Sequence, residues 1–182
     1  MSENKAASRY AKSLIDLSIE NNALEKMKDD MVLVEQVIRT NPELGAILNN
    51  PIVPLEKKGG ILRDVFNSKV SEITNTYLKL LVSKGRSSIL FGTAKEFINQ
   101  YNSLKGIVTA EITSATSLTD ANRVEVVGLV KKETGANQVV LKEKINEKLI
   151  GGFILKVGDR QFDASISSSL NKLKKEFSQG IA

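Results

Sequence analysis

Two carboxylates and four hydroxyls crowd one short stretch near the C-terminal end of the chain. Asp159 and Asp163 flank a turn, and Ser165, Ser167, Ser168 and Ser169 follow directly. A carboxylate pair can share general-acid and general-base duty, and a serine beside a base can act as a nucleophile. Just upstream, Gly151-Gly152 would let a backbone approach a phosphate. Each of these readings lacks a necessary companion. The chain contains no His and no Cys, which removes the imidazole base, the thiol nucleophile, disulfides and zinc sites of the usual N/S type. The serines therefore have no imidazole partner, and no helix start follows the Gly pair directly. Asp159 suits a turn former and Asp163 a helix N-cap, while Gly151-Gly152 suits a bulge or a close backbone contact. No catalytic residue, cofactor or metal is expected.

The element that positions these residues runs from Val139 to Leu170. Val139 and Leu141 begin one short apolar strand, and Leu149-Ile150-Gly151-Gly152-Phe153-Ile154-Leu155-Lys156-Val157 reads as a second, closed by a hairpin-type turn at Gly158-Asp159. Behind Asp163, the residues Ile166, Leu170, Leu173 and Phe177 recur at helical spacing. Upstream, Ile107 to Ser114 alternates with period two, and Val124, Val127 and Val130 mark a helix that Gly135 ends. The order is strand, helix, strand, strand, helix.

Everything before Gly106 reads as helix. Ala7, Tyr10, Ala11, Leu14 and then Leu17 or Ser18 share one face, with two alanines that let another helix approach closely. Leu24, Met27, Met31, Val34 and Ile38 form an amphipathic stripe stopped at Asn41-Pro42. Short helices follow around Leu44, Ile47 and Leu48 and around Ile61, Leu62, Val65 and Phe66; the cost of Gly59-Gly60 inside the latter suggests close packing. Ile73, Tyr77, Leu80 and Leu81 mark a fifth helix before Gly85, and Leu90, Ala94, Phe97, Tyr101 and Leu104 a sixth. The predicted fold is α+β: a six-helix bundle over residues 1–105 followed by a small αβ domain over 106–182. Tyr10, Leu14, Leu80 and Leu81 are either ordinary core or the walls of a groove left open for a partner's helix, and periodicity alone favours core.

Composition narrows function further. Hydrophobic residues make up 41% and charged residues 26%, a globular balance. No window approaches the ~20 apolar residues of a membrane span, and no basic-then-apolar leader opens the chain, so a soluble protein that is not secreted by the general route is expected. The net charge of +5 admits a basic two-domain nucleic-acid-binding protein as an alternative. The cations are dispersed as single lysines or lysine pairs without interleaved aromatics, which argues against it.

With these motifs in place, the chain closely resembles the delta subunits of bacterial F-type ATP synthases, a family that includes the mitochondrial oligomycin-sensitivity-conferring protein. Ala7-Ser8-Arg9-Tyr10-Ala11-Lys12-Ser13-Leu14 matches the family's opening. Asn50-Pro51 with Lys57, Lys58, Ile61, Leu62 and Phe66 fits its middle, and Leu80-Leu81 through Gly85-Arg86 fits the end of its fifth helix. The most specific match is Val139, Leu141, Ile145, Asn146, Leu149, Gly151-Gly152-Phe153, Leu155, Lys156 and Gly158, continued by Asp163, Ser165, Ile166 and Leu170. Asn146 departs from the Asp common there.

The resemblance implies a non-catalytic stator subunit, present once per complex, on the cytoplasmic face of the bacterial inner membrane and held there only through the complex. It further implies an N-terminal domain that receives the N-terminal helix of an alpha subunit between helices one and five. A C-terminal domain would engage the peripheral-stalk b subunits. Carried over to this chain, the groove residues are Tyr10, Leu14, Tyr77, Leu80 and Leu81, some of them expected to be bundle core. Gly151, Gly152, Gly158 and Asp163 are carried over as structural. A joint that resists rotational torque needs nanomolar or tighter binding, about 12 kcal/mol.

Overall fold

The computed structural model describes residues 2–147 and 149–179. The chain is α+β and divides into two compact units, Met1–Tyr101 and Asn102–Ala182. Among the described residues, six α-helices and one 3₁₀ turn precede the first strand. They are α1 (Ser2–Glu20), α2 (Leu24–Thr40), α3 (Pro42–Asn49), α4 (Leu55–Phe66), α5 (Glu72–Ser83), the turn Ser87–Ile89 and α6 (Leu90–Lys105).

Each helix of the first unit turns its apolar stripe to a common core, where Met27, Met31, Phe66, Leu81, Leu90 and Phe97 are all buried to 1% exposure or less. The small residues predicted on α1 do let a helix come close. A Cβ placed on Gly92 of α6 would stand 3.3 Å from that of Ala7, and Gln100 of α6 donates to the Ser8 carbonyl at 3.1 Å. Two polar ties cross the core. Asp30 of α2 accepts from the Ser71 N–H, the Ser71 hydroxyl and the Thr74 hydroxyl, so α2 supplies an anion at the start of α5. Buried Lys58 of α4 donates to the Leu48 carbonyl at 2.9 Å and to Ser87 Oγ at 3.1 Å, joining α3, α4 and the 3₁₀ turn. Gly59-Gly60 has no such purpose. A Cβ on Gly60 would meet nothing within 4 Å and one on Gly59 only ordinary contact at 3.8 Å, so close packing does not explain the pair.

The second unit holds β1 (Ile107–Ser114), α7 (Asp120–Thr134), β2 (Gln138–Ile145), β3 (Phe153–Val157), β4 (Arg160–Asp163) and α8 (Ile166–Gln179). The sheet order is β2-β1-β3-β4, with β1 parallel to β2 and antiparallel to β3. The β1–α7–β2 crossover puts α7 on one face, where Val126 and Val130 pack with Ala110, Ile112, Leu155 and Val157. Thr119 caps α7 and left-handed Gly135 ends it.

Four details differ from the sequence reading. Val124, read with Val127 and Val130 as the apolar set of α7, is 73% exposed, and Val126 packs into the core instead. Gly151 and Gly152 precede β3 rather than lying inside it. A fourth strand, β4, pairs Val157 with Arg160 and Ile154 with Asp163 across the Gly158-Asp159 turn; four mostly polar residues give no periodic signal of their own. The N-cap of α8 is Ser165, whose Oγ accepts from the Ser168 N–H, and not Asp163. Asp163 stands two residues earlier and holds that cap, accepting from the N–H and hydroxyl of Ser165 and the hydroxyl of Ser168. The side chains of Leu173 and Phe177 lie outside the described residues.

Candidate functional site

The acidic and serine-rich stretch forms no reaction centre. Both oxygens of Asp163 are engaged by Ser165 and Ser168, and these hydrogen bonds hold its carboxyl below the ordinary aspartate range. Among the described residues no group of acidic side chains is placed to hold a metal ion. Gly152, at φ +76°, has the carbonyl oxygen of Ala164 only 2.2 Å from where a Cβ would be. The backbone from β4 into α8 passes against it, and this close approach accounts for the glycine.

An exposed apolar hollow lies in the first unit. An open hollow of about 260 Å³ runs between α1 and α5, lined by Arg9, Tyr10, Ser13, Leu14, Leu17, Tyr77 and Leu80. Four of the five groove residues named from the sequence, Tyr10, Leu14, Tyr77 and Leu80, meet there. The fifth, Leu81, is 1% exposed and belongs to the bundle core. Neighbouring positions on α5 thus divide their work, because Leu80 is 46% exposed on the groove side. Leu17, 43% exposed, is a wall that the helical reading left undecided between Leu17 and Ser18. Ser18 is the buried one. Its hydroxyl bonds back to the Leu14 carbonyl, which satisfies it in the core and turns Leu17 outward.

Tyr77 forms the floor. Its hydroxyl is buried with no hydrogen-bond partner, and burial pushes its pKa well above the usual phenol range. The adjacent Thr93 hydroxyl gives its proton to the Ile89 carbonyl, and its closeness to the phenol offsets only part of that rise. At one end of the groove, Arg86 Nη1 donates to the Tyr10 hydroxyl at 2.7 Å, with the guanidinium carbon 5.5 Å from the ring centroid. The turn after α5 sets this up. Gly85 takes φ +66°, the Gly85 N–H bonds to the Val82 carbonyl and the Arg86 N–H to that of Leu81, which closes the helix and directs the chain back toward α1. Sequence reasoning did not single out Arg86 for the groove, since its contact lies 76 residues away.

A second hollow, about 220 Å³, lies beside α7 in the other unit, lined by Leu118, Asn122, Glu125, Val126, Leu129 and Phe153. Exposed apolar groups gathered along a hollow are the kind of surface that docks other proteins.

Comparison with known proteins identifies which kind. Residues 6–177 match the family described as ATP synthase delta (OSCP) subunit. The chain is 40% identical to ATP synthase subunit delta of Cytophaga hutchinsonii over 100% of its own length and 98% of that protein's. It is 34% identical to the subunit delta of Chlorobaculum tepidum, covering 96% of each. A chain in the cryo-EM structure of the Toxoplasma gondii mitochondrial ATP synthase hexamer shares the fold, with a TM-score of 0.72 at 23% identity over 97% of both chains. The chain therefore belongs to the ATP synthase delta (OSCP) family. It is a structural, non-catalytic subunit with a stator role that partners other subunits of the F-type complex. The nucleic-acid-binding alternative finds no support in these relatives.

Proposed function

We propose that this chain links the catalytic head of the synthase to its peripheral stalk. The first unit receives the N-terminal helix of one alpha subunit in the α1/α5 groove, and the second engages the C-terminal ends of the b subunits. One copy serves each complex, and the link resists the torque that the central stalk exerts on the head during proton-driven synthesis. No helix among the described residues is long and apolar enough to cross a membrane, so the subunit is held peripherally through its partners. We place it at the cytoplasmic face of the bacterial inner membrane.

The observation that carries the reading is the hollow itself. It is an apolar trough between two helices, with Leu17 and Leu80 standing half-exposed on its walls. Such surface is costly to leave in water and is covered well by an amphipathic helix. Titration calorimetry with the N-terminal peptide of the cognate alpha subunit tests it. Tight binding that Tyr10→Ala and Leu80→Ala both weaken is expected, and unchanged affinity in both variants would overturn the groove assignment. Co-purification with the b subunits that depends on residues 102–182 tests the other half.

A further inference from the structure

We propose that the α1/α5 groove selects its occupant by charge as well as by apolar surface: the docked amphipathic helix carries a carboxylate at the end that meets Arg86. The inference rests on the groove reading above and adds the chemistry of one contact to it.

Arg86 is exposed, yet it is not a free-swinging surface cation. The Tyr10 hydroxyl accepts from its Nη1 at 2.7 Å and the guanidinium lies over the Tyr10 ring, which fixes the fork at the groove's edge. One acceptor occupies one of the guanidinium's five N–H donors, and a phenol brings no negative charge. Among the described residues neither Arg86 nor Arg9, which lines the same groove, forms an ion pair. The contrast within the chain is Arg123, whose guanidinium takes both Glu143, at 2.6 Å, and Asp120, at 2.9 Å.

An apolar helix laid over Leu17, Leu80, Tyr77 and Tyr10 removes water from beside Arg86. A cation desolvated without a counter-charge opposes binding, whereas one that meets a carboxylate in a lower-dielectric setting favours it. Because Tyr10 already holds the guanidinium in place, little side-chain freedom is lost when the pair forms. An occupant bearing Lys or Arg at that end is disfavoured for the same reason, so the contact contributes to partner choice as well as to affinity.

The test is a titration of the full chain with the alpha-subunit N-terminal peptide at low and high salt. The set of proteins is wild type, Arg86→Gln and Leu80→Ala, and the set of peptides replaces each acidic residue singly by its amide. Expected results are a loss of about fivefold or more for Arg86→Gln with a flatter salt dependence. One peptide variant should show the same loss, and pairing it with Arg86→Gln should cost nothing further. Arg86 is on the surface and its tie to Tyr10 contributes little to stability, so its replacement should lower the unfolding midpoint only slightly. Binding that needs Leu80 but ignores Arg86 in affinity and in salt slope overturns this inference alone. A peptide that does not bind, or that binds Leu80→Ala as well as wild type, overturns the groove reading beneath it.

Discussion

Asp30 and Ser71 are 41 residues apart in the chain, and the carboxylate takes both the hydroxyl of Ser71, at 2.6 Å, and its N–H, at 2.8 Å. The Ser71 side chain in turn accepts from the Thr74 N–H as the N-cap of α5. One wall of the α1/α5 hollow therefore depends on an acid buried in α2. Asp30→Ala leaves a part-buried N–H and two hydroxyls to find new partners, which costs on the order of 2 kcal/mol. Urea unfolding should show that drop, with peptide affinity falling as α5 loosens at its start. A loss under about 1 kcal/mol would mean that water replaces the carboxylate there.

Two glycines should respond in opposite directions. Gly60 sits inside α4 with open space where its Cβ would be, so Gly60→Ala removes backbone freedom from the unfolded chain and raises stability by about 1 kcal/mol. Gly152 combines a left-handed backbone with a carbonyl oxygen 2.2 Å from the missing Cβ. Gly152→Ala should cost about 3 kcal/mol or more, since the route from β4 into α8 has to move. Thermal denaturation of the two variants decides both, and equal midpoints would refute the steric argument.

Two tyrosines should resist ionisation. Tyr101 is pushed up to about 12, first by the hydrogen bond its hydroxyl donates to Glu25 and then by burial. Burial raises Tyr77 as well. For an acid whose folded-state pKa is raised, the stabilisation is fully present below the ordinary value near ~10 and is lost as pH climbs through the folded-state value. A Tyr10→Phe variant keeps only these two tyrosines. Its phenolate absorbance should stay low through about pH 11 and then rise together with unfolding. Reversible ionisation of the native protein near pH 10 would contradict the buried placement.

Asp163 shifts the other way. The hydroxyl of Ser165 is the largest influence, followed by that of Ser168, and both lower its pKa. A depressed carboxyl contributes stability above the ordinary aspartate value, and that contribution disappears as pH falls through the lower folded-state value. Carbon-detected NMR titration should place its midpoint below that of an unperturbed aspartate. Ser165→Ala should bring the midpoint back up. A midpoint that does not respond would mean that the two side chains are not bonded in solution.

What could be read in advance follows the range of the forces involved. The stripes Leu24–Met27–Met31–Val34–Ile38 and Leu90–Ala94–Phe97–Tyr101–Leu104 are local and periodic, and each marks a helix whose named residues are buried except at the outer ends, Leu24 and Leu104. Gly135, the residue that ends α7, is legible because left-handed backbone selects its residue type locally. The choice between Leu17 and Ser18 was not legible, since a buried serine that bonds its own helix breaks the apolar rule. Nor were Asp30 with Ser71 or Arg86 with Tyr10, because pairs this distant leave no trace in spacing. The groove residues were reached through a resemblance to a family and not through periodicity, which favoured core for the same side chains.

That division between groove and core is open to direct measurement at Leu80 and Leu81. Both are leucines on α5, one 46% exposed beside the hollow and the other 1% exposed inside the bundle. Leu81→Ala removes a fully packed side chain and should destabilise the protein by about 2–5 kcal/mol. Leu80→Ala empties no cavity, so its unfolding free energy should stay within about 1 kcal/mol of wild type. Binding should rank the pair in reverse, provided it is measured well below the unfolding transition of the weaker variant. In the proposed docking, Leu80→Ala removes contact area from the occupant, which is expected to weaken the alpha-subunit peptide by about tenfold or more. Leu81→Ala, a change inside the bundle, should bind nearly as wild type once folded. If the two substitutions instead lower stability and affinity in proportion, the hollow is only a shallow defect in the bundle surface and α5 carries no separate recognition face.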